Sequence, residues 1–219
     1  MLVACVFSTS TLAFVYAILH TSVAHALVII TTSSIFAAIF SRLILKEKTA
    51  IVTWVTIIIV LVAMIFIVQE KTGNATITGN LAALTSAMCI ALSFVLNRKF
   101  HHIDMLPALS ISGLILATAS VIFATQLAVD AYNLLLLLLV SALVTIAYAS
   151  FAISPKYITA AEVSLFMPLE TIIGILLVWA VLDEAPSYLA LIAGSIILIT
   201  LLAHSVYQLR SAKIRTMQR

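Results

Sequence analysis

The 219 residues are 64% hydrophobic and only 9% charged, with 11 Lys and Arg, 8 Asp and Glu, and a formal charge of +3. That composition excludes a water-soluble globule, and the lack of a basic stripe interleaved with aromatics excludes a nucleic-acid partner. The two cysteines, Cys5 and Cys89, lie inside apolar runs at no metal or redox spacing, so neither a metal nor a cofactor is expected.

Eight apolar runs follow in chain order, over residues 3–19, 22–45, 51–68, 80–97, 106–125, 133–152, 159–182 and 187–208. Each approaches the ~20 residues that a helix needs to cross a ~30 Å hydrocarbon core. The expected fold is therefore an all-α membrane protein of about eight transmembrane helices. The first run begins without a basic flank and continues past Ala24-His25-Ala26, which argues against a signal peptide. So abrupt a start leads us to expect further sequence upstream. Short connections make neighbouring helices antiparallel. Ten of the eleven Lys and Arg then fall on the side of both termini, and only Lys71 lies opposite. The positive-inside rule places both termini in the cytoplasm of a multi-pass protein in the cell (inner) membrane.

Gly73-Asn74 and Gly79-Asn80 mark turns that divide the chain into residues 1–70 and 78–209, followed by a basic tail, 210–219. Pro107 opens the fifth run, where its missing amide is tolerated. Pro168 falls inside the seventh and is expected to kink it. At an offset of 137, residues 22–47 (SVAHALVIITTSSIFAAIFSRLILKE) overlay 159–184 (TAAEVSLFMPLETIIGILLVWAVLDE). Ala24 meets Ala161, Ile35 meets Ile172, Leu45 meets Leu182 and Glu47 meets Glu184. The two segments lie an odd number of helices apart, so they cross the membrane in opposite directions. Such an inverted repeat is a common transporter build, with the solute site near midplane.

With this repeat, the chain resembles the drug/metabolite transporter superfamily, of the EamA type, whose members have ten helices in two inverted five-helix halves. The matching helix endings are Leu43-Ile44-Leu45-Lys46-Glu47 and Ala180-Val181-Leu182-Asp183-Glu184, where Lys46 and Asp183 replace the family's glycine. Pro168 matches the family's mid-helix proline, and Thr31 stands at the corresponding place in the first half. Residues 78–209 match a complete half and 1–70 only the last three helices of one, an incomplete 5+5 fold. The resemblance implies a secondary transporter, and an exporter, of small metabolites such as amino acids or related organic solutes. The alternative is a truncated or partner-dependent membrane protein without transport activity of its own. A homodimer or a partner subunit would then fill the place of the missing helices. The other partners expected are a small-molecule solute and membrane lipid.

The strongest candidate site residue is Glu170, about eleven residues or roughly 17 Å into the seventh run and so near midplane. An acid at that depth contacts solute, couples a proton, or serves as a hydrogen-bonded strut between helices. Ser141, Thr145 and Tyr148 share one face of the sixth helix by their i, i+4, i+7 spacing. Thr31 and Ser33 make the second helix polar at mid-depth, and His25 sits near its outer end, where a histidine responds to pH or simply rests at the interface. Such hydroxyls line a cavity or merely join helices. Thr85, Cys89, Ser93 and Asn97 recur every fourth residue of the fourth helix, and Glu162 reads as a solvated acid at the cytoplasmic end. There is no Walker motif, HExxH, GxSxG or pair of midplane aspartates, so neither ATP-driven transport nor an enzyme is expected.

Overall fold

The computed structural model describes residues 1–21, 23–47, 49–68, 76–123, 130–170, 172–173 and 188–217. Helices occupy all eight apolar runs. They are α1 (Leu2–His20), α2 (Val23–Thr31), α3 (Ser33–Phe40), α4 (Ile51–Val68), α5 (Ile77–Lys99), α6 (Leu106–Phe123), α7 (Ala131–Ile153), α8 (Ala160–Ser164) and α9 (Tyr188–Met217). After α8 a further helical stretch covers 166–170. Three spans, Leu2–His20, Ile77–Lys99 and Ala131–Lys156, are long and apolar enough over described residues to cross a bilayer, and four other apolar helices are shorter.

Local chemistry sets the helix starts. The Thr76 hydroxyl accepts from the Gly79 amide, 3.2 Å, and caps α5. The Asp130 carboxylate accepts from the Tyr132 amide, 3.3 Å, and caps α7. At α8, Thr159 and Glu162 exchange amide-to-side-chain bonds of 3.0 and 3.3 Å, a capping box. Glu162, expected to be solvated, is thus half-buried and holds a helix start.

The helices pack through small residues, as helices in lipid do. Ala17, Ala26 and Ala83 bring α1, α2 and α5 together. Ser10 and Ser86 each donate to the other's backbone carbonyl, at 3.3 and 3.0 Å, tying α1 to α5. Elsewhere α4 packs on α9 through Val60, Met64, Ala193 and Ile197, with Ile172 closing the cluster. There, Thr53 Oγ1 and His204 Nε2 are hydrogen-bonded at 3.1 Å. By contrast α7 leaves its apolar stretch almost wholly uncovered.

Two runs read as continuous helices are interrupted. Residues 22–45 divide at Thr32, whose hydroxyl folds back onto the Ile29 carbonyl, and end in a π-helical turn, Ser41–Leu45. Lys46 then takes a left-handed conformation, φ 58°, that reverses the chain. In the seventh run α8 stops at Ser164 and Leu165 forms a turn before the buried Pro168. Proline has no amide to offer the carbonyl four residues back, which here is that of Ser164. That carbonyl instead accepts from Ser34 Oγ of α3, at 3.3 Å. Ser34→Ala leaves it without this donor, a loss of about 1 kcal/mol. A small, reproducible fall in melting temperature in detergent is the expected result, and an unchanged melting temperature would show that the carbonyl needs no partner from α3.

Candidate functional site

The stretch of α7 from its middle onward presents three of the expected site residues. Ser141 Oγ donates to its own helix at the Leu138 carbonyl, 2.9 Å, and Thr145 Oγ1 donates to the Ser141 carbonyl, 2.7 Å. Both residues are exposed, and their oxygens keep acceptor capacity. One turn further on, the Tyr148 ring meets Phe7 of α1 edge-on, with centroids 5.0 Å apart and planes at 86°. Glu170 closes the 166–170 stretch, is exposed, and lies within electrostatic reach of the Tyr148 hydroxyl. The fold therefore brings Phe7 and Tyr148 into contact from two helices, with Glu170 of a third segment within electrostatic reach of Tyr148. Two of them were expected on sequence grounds. Phe7 was not, because a phenylalanine in an apolar run carries no signal until its neighbour is known.

Thr31 and Ser33 occupy a different environment. Both are buried, in α2 and at the start of α3, where α3 packs against α5 and α8. Among the described residues Ser33 Oγ finds no hydrogen-bond partner, and neither do Ser93 Oγ and Asn97 Oδ1 on α5. Most other helical hydroxyls bond back to their own helix, as Thr85 does to Leu81 at 2.9 Å. His25 lies in α2, but its side chain falls outside the described residues.

Two ionisable groups carried no role in the sequence. His204 on α9 is buried, bonded to Thr53, and interacts electrostatically with Glu162. Its signal was available, an ionisable ring within an apolar run. At the basic end of the bundle, Arg98 at the end of α5 donates from Nε to Glu47 Oε1, 3.2 Å. Its Nη1 donates to the carbonyls of Pro155, 2.9 Å, and Lys156, 3.3 Å. Ser41 Oγ donates to the other Glu47 oxygen, 3.4 Å.

Chemically, the Phe7–Tyr148–Glu170 group offers a carboxylate, a phenol and two aromatic faces. Such a set suits an organic solute with a cationic or hydrogen-bond-donating group and an apolar part. Among the described residues no three His, Cys, Asp or Glu side chains come close enough to hold a metal ion.

A family model described as the EamA-like transporter family matches residues 1–69 and 77–205. No curated protein matches the chain. One solved chain, titled only as the crystal structure of a protein, aligns over 93% of this chain and 74% of its own, with a TM-score of 0.76 and 17% identity. Identity that low speaks to the fold alone.

Proposed function

The chain belongs to the EamA-like transporter family and is a multi-pass membrane transporter of the drug/metabolite type; from that premise we propose that it is a secondary exporter of small amine-bearing or zwitterionic metabolites, such as amino acids. The observation that carries this reading is the edge-on contact of Tyr148 with Phe7, with Glu170, on an interrupted and proline-containing segment, within electrostatic reach of the Tyr148 hydroxyl. Glu170 binds the solute's ammonium group or the coupling proton, and the two rings receive its apolar part. Ser141 and Thr145 extend that surface along α7. Thr31 and Ser33, in the first-half helix that the repeat pairs with 159–184, supply the polar interior the other half moves against, and His25 lies toward its outer end. Residues 1–70 and 78–209 rock as two inverted halves about this region, opening it to each side in turn. The charge asymmetry of the loops supports an inner-membrane location with both termini cytoplasmic.

The test is reconstitution of the full chain into liposomes, with counterflow of a panel of labelled amino acids and aliphatic or aromatic amines. Saturable exchange of at least one panel member is expected, and no exchange of any would overturn the reading. A second reading, dependence on a partner, has its own support. The repeat offset of 137 lays α1 on α7, so the buried Ala4, Ser8, Ser10 and Ala17 correspond to Ser141, Thr145, Ala147 and Ser154, all small. The α1 face is covered by α5 and α6, whereas Ser141, Thr145 and Ala147 on α7 are exposed. Under this reading exchange appears only when a second subunit is co-purified.

A further inference from the structure

We propose that Arg98 is the latch of the cytoplasmic mouth, and that its ion pair with Glu47 breaks each time the solute region opens to that side. The proposal rests on the alternating-access reading above and on the orientation given there. Glu47 follows the broken helix of the first half, whereas Arg98 ends the first helix of the second. Their pair, 3.2 Å, is the one ion pair among the described residues. The same guanidinium also grips the backbone between α7 and α8 through the Pro155 and Lys156 carbonyls. One side chain thus braces α5 on the turn between α7 and α8 within the second half and holds that half to Glu47 of the first, and the Glu47 contact must part if the halves rock.

The local backbone is built for this contact. The π-helical turn Ser41–Leu45 and the left-handed Lys46 swing Glu47 back toward α5, where Ser41 holds its second oxygen. Left-handed geometry is unfavourable for lysine and persists only where its surroundings enforce it. Arginine is the suitable cation, because its planar fork serves a carboxylate and two carbonyls at once, which an ammonium does not. Both side chains keep water access, 25% and 33% exposed, so each charge is resolvated when the pair opens. That makes the contact reversible, unlike a fully buried pair. The opposite end is held differently, by neutral bonds such as Thr21 Oγ1 to Asn80 Oδ1, 3.1 Å, and Thr76 Oγ1 to the His20 carbonyl. Neutralising Arg98 or Glu47 therefore biases the protein toward opening on the cytoplasmic side alone.

The experiment uses the full chain with Cys5→Ser and Cys89→Ser, and a reporter Ser93→Cys. Ser93 is buried on α5, five residues or about 7.5 Å deeper than Arg98. Its labelling by a membrane-impermeant maleimide is timed in inside-out and right-side-out vesicles. Glu47→Gln and Arg98→Gln are expected to speed labelling about tenfold from the cytoplasmic side and not from the other. Arg98→Lys, which keeps the pair but loses the fork onto the carbonyls, is expected to fall between and covers the case in which a neutral variant does not fold. An unchanged cytoplasmic rate in folded variants overturns the latch, and so does an equal rise from both sides, the mark of a static staple whose loss loosens the whole bundle. Solute exchange in the same vesicles separates the two proposals. Exchange with unchanged labelling sinks the latch and leaves the transporter reading standing. One-sided labelling changes without exchange in the parent do the reverse.

Discussion

Glu170→Gln is expected to lower exchange of an ammonium-bearing solute by about 100-fold, equivalent to ~2.7 kcal/mol of lost interaction. The substitution preserves shape and hydrogen bonding but removes the charge and the titratable proton. It therefore separates the roles of this residue. If Glu170 pairs with the solute's cation, apparent affinity falls for amines and stays unchanged for neutral analogues. If it carries the coupling proton, the pH dependence of exchange flattens, because glutamine cannot alternate between charged and neutral forms. If it is a strut, exchange and its pH profile survive while the melting temperature moves. Tyr148→Phe is expected to have a smaller effect, about fivefold, the loss of one hydrogen bond of ~1 kcal/mol. The edge-on contact of its ring with Phe7 remains in that variant. Transport of neutral and cationic solutes by the two variants, measured between pH 5.5 and 8.5, gives the answer.

The largest expected effect on stability lies at Gly79, at the opposite end of the bundle. A Cβ there would sit 2.8 Å from the His20 carbonyl carbon, 2.9 Å from its oxygen and 2.9 Å from Thr21 Cβ. Two of these are backbone atoms, so no rotamer change relieves the clash and α1 must move away from α5. Gly79→Ala is expected to cost about 1–3 kcal/mol, the usual penalty for overpacking a close contact. In a chain of this size that lowers the melting temperature by roughly 5 °C. Gly79→Leu is expected to prevent the α1–α5 contact from forming, with loss of monodisperse protein. The matched control is Gly113 on α6, where a Cβ would meet nothing within 4 Å. Gly113→Ala should be neutral or slightly stabilising, since alanine is the better helix former. Equal losses at both sites would show that helix propensity and not close packing governs the bundle.

Much of this architecture is legible in the amino-acid order because lipid leaves a helix few alternatives. Eight apolar runs give helices at eight places, and hydropathy alone locates them. It does not show where a run breaks. Thr32 divides the second run through one short bond to Ile29, and nothing marks this threonine out from Thr31 beside it. Pro168 is visible, yet the turn falls at Leu165, because a proline disturbs the carbonyl that precedes it and not its own position. Glu170 stands out as an acid in an apolar run, but its neighbours depend on how α1 and α7 approach. Glu47 and Arg98 are 51 residues apart, one in a loop and one in the last turn of a helix, at places that both read simply as a charged membrane edge. Only the fold turns them into a pair. The cap that Glu162 places on the Thr159 amide, three residues away, likewise shows only once the helix start is known.

The length of α9 has a mechanical consequence. Its 30 residues span about 45 Å, some 15 Å more than a ~30 Å hydrocarbon core. Near its middle, the Thr53–His204 bond and the Val60–Ile197 cluster hold it against α4 of the other half, which places its pivot at that contact. A rod pivoting at the bilayer centre is a pointer. A tilt of about 10° carries a tip roughly 30 Å from the pivot through about 5 Å. The C-terminal tip of α9 thus amplifies small rotations inside the bilayer into displacements outside it, where they are large enough to be felt by whatever rests against the membrane surface.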